Sequence, residues 1–426
     1  MSVRILIVGG GAGGLPLATR LGKRLGKKGL ADITMVDSGS VHVWKPRFHE
    51  VATGAIDSDL DAVDYRAHAR LNHYSFELGT LTAVDRAEKR ITLAPILSSS
   101  GDTVLPERSL DYDILVLSIG SHGNDFGTPG VREHCLFLDS REQADRFHER
   151  FLNTCMAANY SSAVIEIAIV GAGATGVELA AEIHHAVDML KLYGHQHLDR
   201  SKLRVHLIEA SPRILPPLNE SIAKAAHTQL EAMGVIVHTG TMVKEATAEG
   251  FVTSEGEVIA AELLVWAAGI KAPEILTTLG LETNRVNQLV VSQELRTTDP
   301  YIFAFGDCCA CPDGHGKNVP PRAQSAQQMA ITLARNLEHL IGMKPLQPFV
   351  YRDRGSLVSL SSFTSVGNLM GNLRGSNFFV EGWLARMMYI SLYRLHQAAL
   401  YGWPRTLMLL LAGRFNRLVR PRMKLH

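Results

Sequence analysis

Val8-Gly9-Gly10-Gly11-Ala12-Gly13-Gly14 follows the apolar run Arg4 to Val8 and leads into Leu15-Pro16-Leu17-Ala18. It contains the spacing G-x-G-x-x-G at Gly9, Gly11 and Gly14, placed after a strand pattern and before a helix pattern. Alone that spacing is a weak signal. In this context it is the fingerprint of a βαβ dinucleotide unit, in which glycines let backbone amides approach a pyrophosphate resting on the positive end of a helix. The next strand pattern, Ile33-Thr-Met-Val-Asp37, ends in an acid placed to accept hydrogen bonds from a ribose.

The same arrangement recurs about 160 residues later. Ile169-Val170-Gly171-Ala172-Gly173-Ala174-Thr175-Gly176 is followed by Val177-Glu178 and a helix pattern, and Val205-His-Leu-Ile-Glu209 ends in an acid. A carboxylate there favours a free 2′-hydroxyl and repels a 2′-phosphate, so NADH is expected over NADPH, although Arg213 lies close in sequence. A merely solvated strand-end acid is the competing reading of Glu209. Further strand patterns at Ile114 to Ser118 and Leu263 to Ala267 complete an alternation typical of α/β folds. Turn-rich stretches at Gly120 to Pro129 and Gly269 to Pro273 are plausible crossovers between two such domains.

Two dinucleotide sites are economically filled by a resident FAD and an exchangeable nicotinamide. Thr298 to Asp307 is a strand pattern running into Gly306-Asp307, where a carboxylate can bind the ribityl chain of a flavin seated on the first fingerprint. A strand-end Asp is common and decides little by itself.

The 426 residues, 46% of them hydrophobic, suffice for two or three domains. Net charge is +1, but eight of the 43 cations and none of the 42 acids follow Glu381, leaving a body of −7 before a basic tail. Nucleic acid is not an expected partner. Five cysteines, three of them bunched at Cys308, Cys309 and Cys311, do not form a disulfide framework and fit a reducing cytosol. The N-terminus lacks the pattern of a signal peptide, and no apolar run approaches the ~20 residues of a spanning helix. Neither the cysteine cluster nor His184-His185 with His195 and His197 has a convincing metal-ligand spacing, so no metal is expected.

At this point the chain resembles the two-dinucleotide-domain flavoprotein reductases, and most closely the type II, non-pumping respiratory NADH dehydrogenases. The matching segments are His42-Val-Trp44-Lys45-Pro46, His49-Glu-Val-Ala-Thr-Gly54, Gly173-Ala-Thr-Gly-Val-Glu178, Gly306-Asp307-Cys308, and Val319-Pro-Pro-Arg-Ala323-Gln324-Ser-Ala326-Gln-Gln328. The last fits the family's A-Q-x-A-x-Q quinone pattern, and the resemblance covers roughly residues 1 to 400. It implies FAD on Gly9 to Gly14, Asp37 and Asp307, NADH on Gly171 to Gly176 and Glu209, and quinone near Gln324 and Gln328, with Glu178, Gln324 and Gln328 as the catalytic group. Cofactor contacts are further expected at Gly11, Ala12, Gly13, Lys45, Gly120, Gly306, Ala323, Gly173 and Gly269. Spaced i, i+4 on a helix starting near Pro321, the two glutamines share a face. Without the resemblance, two solvated polar residues would be the plainer reading. For Glu178 the resemblance suggests a place between nicotinamide and flavin, positioning NADH or handling a proton; stabilising its helix N-terminus is the alternative. Disulfide-reductase chemistry is excluded because the first 134 residues hold no cysteine.

From Trp383 onward aromatics and leucines alternate with arginines, interrupted at Gly402-Trp-Pro404. Such helices suit a membrane interface with anionic headgroups; core packing or a homodimer interface is the competing reading. The expectation is thus two Rossmann-like domains, FAD-binding over 1–125 and 295–345 and NADH-binding over 160–290. A C-terminal amphipathic segment over 346–426 follows, for membrane association or dimerisation. The function expected is that of a peripheral NADH:quinone oxidoreductase of the respiratory chain, on the cytoplasmic face of the cell membrane. A soluble NADH oxidase or ferredoxin reductase, and a membrane-tethered NADH-sensing flavoprotein, are the alternatives.

Overall fold

The computed structural model describes residues 2–360, 364–370, 377–419 and 423–425. The chain forms two compact units, one of residues 1–44, 62–122 and 270–352, the other of 45–61, 123–269 and 353–426.

The first unit is built on a five-stranded parallel sheet in the order Ile302–Ala304, Ile114–Leu117, Val3–Val8, Ala31–Asp37, Ser75–Leu78. Its central strands are covered on both faces, which is why they read as unbroken apolar runs rather than alternating ones. Ile5, Ile7, Leu115, Val116 and Leu117 are all buried. The helix Gly14–Arg24 packs on the helix Ala323–Ile341, whose Met329, Leu333 and Leu337 are buried.

The second unit repeats the plan with four parallel strands in the order Val235–Thr239, Leu203–Glu209, Ile165–Val170, Leu263–Trp266. The strand patterns at Arg4 to Val8, Ile33 to Asp37, Ile114 to Ser118, Val205 to Glu209 and Leu263 to Ala267 are present to within two residues, and that at Thr298 to Asp307 shortens to Ile302–Ala304, so the doubly wound α/β expectation holds. The helix Ala174–Leu192 is apolar nearly all round and correspondingly buried. On it packs a feature the sequence reading passed over, a three-stranded antiparallel sheet of Ser356–Leu360, Thr364–Met370 and Asn377–Glu381. Ser, Thr, Gly and Asn dominate this stretch and mask the period-2 signal, visible only in buried Val358 and Leu360 flanking half-buried Ser359.

Two helices follow, Gly382–Tyr401 and Trp403–Val419, separated at Gly402, whose φ of +78° lies in the left-handed region. Of the basic tail, Arg420 and Arg422 lie outside the described residues, as do the side chains of Trp383, Arg386, Tyr389 and Arg417. Among the described residues no helix is long and apolar enough to cross a membrane.

His184, on the helix Ala174–Leu192, is 1% exposed and neither ring nitrogen has a hydrogen-bond partner among the described residues. Burial, reinforced by Arg200, lowers its imidazole to about 4. The unfolded chain therefore binds a proton below pH ~6.5 that the folded chain refuses until about pH 4, so stability falls as pH drops through that window. Replacing His184 with Leu should reduce the loss of stability between pH 7.5 and pH 5 by about 2 kcal/mol. Denaturant melts at the two pH values measure this, and equal pH sensitivity of both proteins would refute it.

Candidate functional site

Each parallel sheet ends in the same local geometry. After the first strand the chain turns at a glycine, Gly9 at φ +101° and Gly171 at φ +102°, a conformation that side chains resist. The third glycine of each fingerprint then lies against the first. A Cβ on Gly14 would fall 1.8 Å from the Gly9 carbonyl oxygen, and one on Gly176 would fall 2.0 Å from that of Gly171. By contrast, a Cβ on the middle glycine, Gly11 or Gly173, would meet nothing within 4 Å. The turn is closed where the backbone packs and open where a ligand must approach.

The strand-end acids are held by the same device. Asp37 accepts from the Gly10 amide at 2.6 Å and the Gly39 amide at 2.8 Å. Glu209 accepts from the Ala172 amide at 2.9 Å and the Ser211 amide at 2.8 Å. Each carboxylate is thereby tied to the backbone of its own fingerprint. Arg213 is turned away from this role, its guanidinium donating to the Leu218 and Pro216 carbonyls at 2.9 Å each. No side chain caps the helices that start at Gly14 and Ala174, so their first amides stay available for an anion.

In the first unit the predicted residues converge. Gly13 lies against Phe305 and Ala326, so the fingerprint meets both the Gly306-Asp307 strand end and the helix that begins at Ala323. Asp307 accepts from the Ser121 hydroxyl at 2.9 Å, next to Gly120, where an added Cβ would again meet open space. Open space over Gly11 and Gly120, an aimed carboxylate at Asp37 and a second acid at Asp307 fit FAD. In the second unit Gly171 is backed by Ala267 and Ala268, beside Gly269 at φ +62°.

Gln324 and Gln328 share the first turns of the helix Ala323–Ile341, as expected from their spacing. Gln328 donates to the Arg352 carbonyl at 2.9 Å and accepts from the Arg352 amide at 3.1 Å, a two-point clamp on passing backbone. Lys45, grouped with the second unit, pairs with Asp139 at 3.2 Å, and Asp139 also accepts from the Gly123 amide at 2.6 Å.

Glu178 is buried, its Oε1 accepting from the Ser359 amide at 3.0 Å and its Oε2 lying 3.4 Å from Nδ1 of His49. Burial raises its carboxyl well above the usual range; the Ser359 amide opposes this, while Glu50 and Glu182 add to it. Burial also lowers His49 to about 4. Burial thus works against the charged form of both partners in this contact. His49 and Ser359 were missed as site residues; His49 stood in a quoted motif, but nothing in sequence spacing ties residues 49, 178 and 359 together. All five cysteines are free, and burial raises Cys308 and Cys311 to about 12 and Cys309 further, so none offers a thiolate at neutral pH. Among the described residues no cluster of acids, histidines or cysteines could hold a metal ion.

The pyridine nucleotide-disulphide oxidoreductase model matches residues 3–330. The type II NADH:quinone oxidoreductase of Haemophilus influenzae is 44% identical over 441 aligned positions, covering 99% of each chain. Its counterpart from Staphylococcus aureus is 27% identical and covers 86% of this chain and 90% of its own. Among solved structures, NDH2 from Plasmodium falciparum in complex with NADH superposes with a TM-score of 0.83 at 17% identity over the whole of both chains. The sulfide:quinone oxidoreductase of Aquifex aeolicus reaches 0.73 at 17% identity, covering 94% of this chain and 92% of its own. At such identity these two likenesses speak for the fold alone. The chain belongs to the pyridine nucleotide-disulphide oxidoreductase family and, within it, to the type II NADH:quinone oxidoreductases, which are FAD-dependent.

Gly14→Ala should yield a folded protein that purifies without the yellow flavin spectrum, because the methyl would displace the Gly9 carbonyl. Absorbance of the purified variant, with circular dichroism as the folding control, decides this; full flavin occupancy would refute it.

Proposed function

We propose that this chain oxidises NADH and reduces a membrane quinone, at the cost of one solvent proton per turnover and without pumping, as NADH + H⁺ + quinone → NAD⁺ + quinol. The observation that carries the reading is the duplicated glycine and carboxylate geometry, one copy in each unit, for two different dinucleotides. In this reading Gly9 to Gly14, Asp37, Gly120, Gly306, Asp307 and Ala323 hold FAD, and Gly171 to Gly176, Glu209 and Gly269 hold NADH. Bound FAD supplies the redox step between a hydride donor and a quinone. The protein's own part is placement and electrostatics. Glu209 takes the 2′-hydroxyl and rejects a 2′-phosphate, with Arg213 engaged elsewhere. Gln324 faces the quinone, Gln328 fixes the Arg352 backbone beside it, and buried Glu178, its carboxyl raised by burial, handles a proton.

The helix Trp403–Val419 supports a place at the cytoplasmic face of the cell membrane. Thr406 is its one buried position among the side chains described. Leu407, Leu411 and Phe415 follow each other at i, i+4 and i+8, exposed by 59%, 49% and 68%. An apolar helix left uncovered by its own chain calls for a partner. Exposed Arg405 and Arg414 beside it match anionic headgroups, and lipid is where a quinone resides.

Two measurements test the reading. Purified, flavin-loaded protein should turn over NADH much faster with a soluble quinone than without, and prefer NADH to NADPH; turnover indifferent to quinone would point instead to an NADH oxidase or a sensor. Replacing Leu407, Leu411 and Phe415 together with Glu should abolish sedimentation with phosphatidylglycerol vesicles while soluble-quinone turnover persists. Retained vesicle binding refutes the lipid assignment, and a dimer in the wild type that becomes a monomer in the triple variant would make this face a homodimer interface.

A further inference from the structure

Quinone reduction draws a proton from solvent, yet the Glu178 side chain is 8% exposed and enclosed by its neighbours. A buried acid that works once per cycle must be recharged through something. The strand Ser356–Leu360 brings it the Ser359 amide, which can hold the carboxyl but has no proton to exchange. Its own helix brings Glu182, another acid raising its pKa. The short helix Phe48–Ala52, which packs on the helix Ala174–Leu192, brings an imidazole.

His49 stands with Nδ1 3.4 Å from Glu178 Oε2, its side chain 2% exposed. Its other nitrogen, Nε2, has no hydrogen-bond partner among the described residues, an uncommon state for a buried polar atom. The nearest acid on that side is Glu50, with Oε1 at 3.9 Å. Glu50 is 16% exposed and so touches solvent. Arg47 fixes it, donating from Nε at 2.7 Å and lying with its guanidinium 4.6 Å from the centre of the Tyr393 ring on the helix Gly382–Tyr401. The groups therefore follow one another as Glu178, His49 and Glu50, with Glu50 the most exposed of the three and Arg47 and Tyr393 bracing that end.

Resting on the reading of Glu178 as the reaction's proton-handling group, we propose that His49 and Glu50 form the relay that recharges it from solvent. When Glu178 has given up its proton, His49 returns one from Nδ1 while Nε2 takes one from the Glu50 side. One proton enters and one leaves the imidazole, which then carries its proton on Nε2 and resets by exchanging tautomers. The low basicity of buried His49 suits a carrier that passes a proton without retaining it. His49 and Glu50 are positioning and relay residues in this scheme.

The test reads proton access directly as well as turnover. In the infrared spectrum of the flavin-loaded protein, the carbonyl band lost in Glu178→Gln belongs to the protonated Glu178 carboxyl. Its shift on transfer to D₂O times the exchange of that proton. His49→Gln and Glu50→Gln should each slow this exchange by about tenfold or more, lower kcat for quinone reduction by about tenfold and leave KM for NADH within about twofold. Exchange as fast as wild type in both variants overturns the relay. Glu50→Gln keeps an acceptor for Arg47 and lies at the surface, so it decides the matter should His49→Gln fail to fold. Wild-type quinone turnover in Glu178→Gln would instead remove the reading of Glu178, whereas an inactive Glu178→Gln with unchanged exchange in the other two variants removes the relay alone.

Discussion

The constraint on which both units depend is the hydrogen bond from the fingerprint's second residue to the acid at the end of the neighbouring strand. Gly10 to Asp37 and Ala172 to Glu209 link the turn after one strand to the tip of the next, at the carboxyl edge of each sheet. A parallel sheet has no hairpin to set that edge, so its geometry comes from the crossover helix and from such cross-strand ties. The third glycine lets the helix come close enough for the tie to form, since a methyl at Gly14 or Gly176 would overlap the carbonyl of the first glycine. The same contacts that shape the turn therefore orient the carboxylate toward a ribose and the bare helix amides toward a pyrophosphate. Stability and ligand recognition are served by one set of atoms.

Built on that frame, the second unit carries a polar interior of a different kind. Glu178 lies on the crossover helix just past its first turn, and burial raises its carboxyl well above the usual range. Desolvation outweighs the Ser359 amide, and the neighbouring Glu50 and Glu182 push the carboxyl the same way as burial does. The C-terminal sheet matters here for a simple reason. It supplies the amide that holds the carboxyl, so a segment read from sequence mainly as a surface attachment also furnishes the site.

Much of the fold was legible in the residues. The glycine spacing, the strand before it and the strand-end acid lie within about forty residues of one another in each unit, so local pattern reports them faithfully. The i, i+4 glutamines were legible as a helix face for the same reason. Their separate engagements were not, because Arg352, which clamps Gln328, arrives from 24 residues away with no pattern of its own. The antiparallel sheet over residues 356–381 escaped notice because its short apolar runs are interrupted by Ser, Thr, Gly and Asn.

What the sequence by itself determined is the pair of dinucleotide frames, the exclusion of cysteine chemistry and the family, since each rests on short spacings or on composition. What only the tertiary structure decided is the company of Glu178. His49, Glu178 and Ser359 come from three elements separated by 129 and 181 positions along the chain. Nothing in the chain's local order relates them. Packing removes water from Glu178 and His49 together, and that shared desolvation raises the carboxyl and lowers the imidazole.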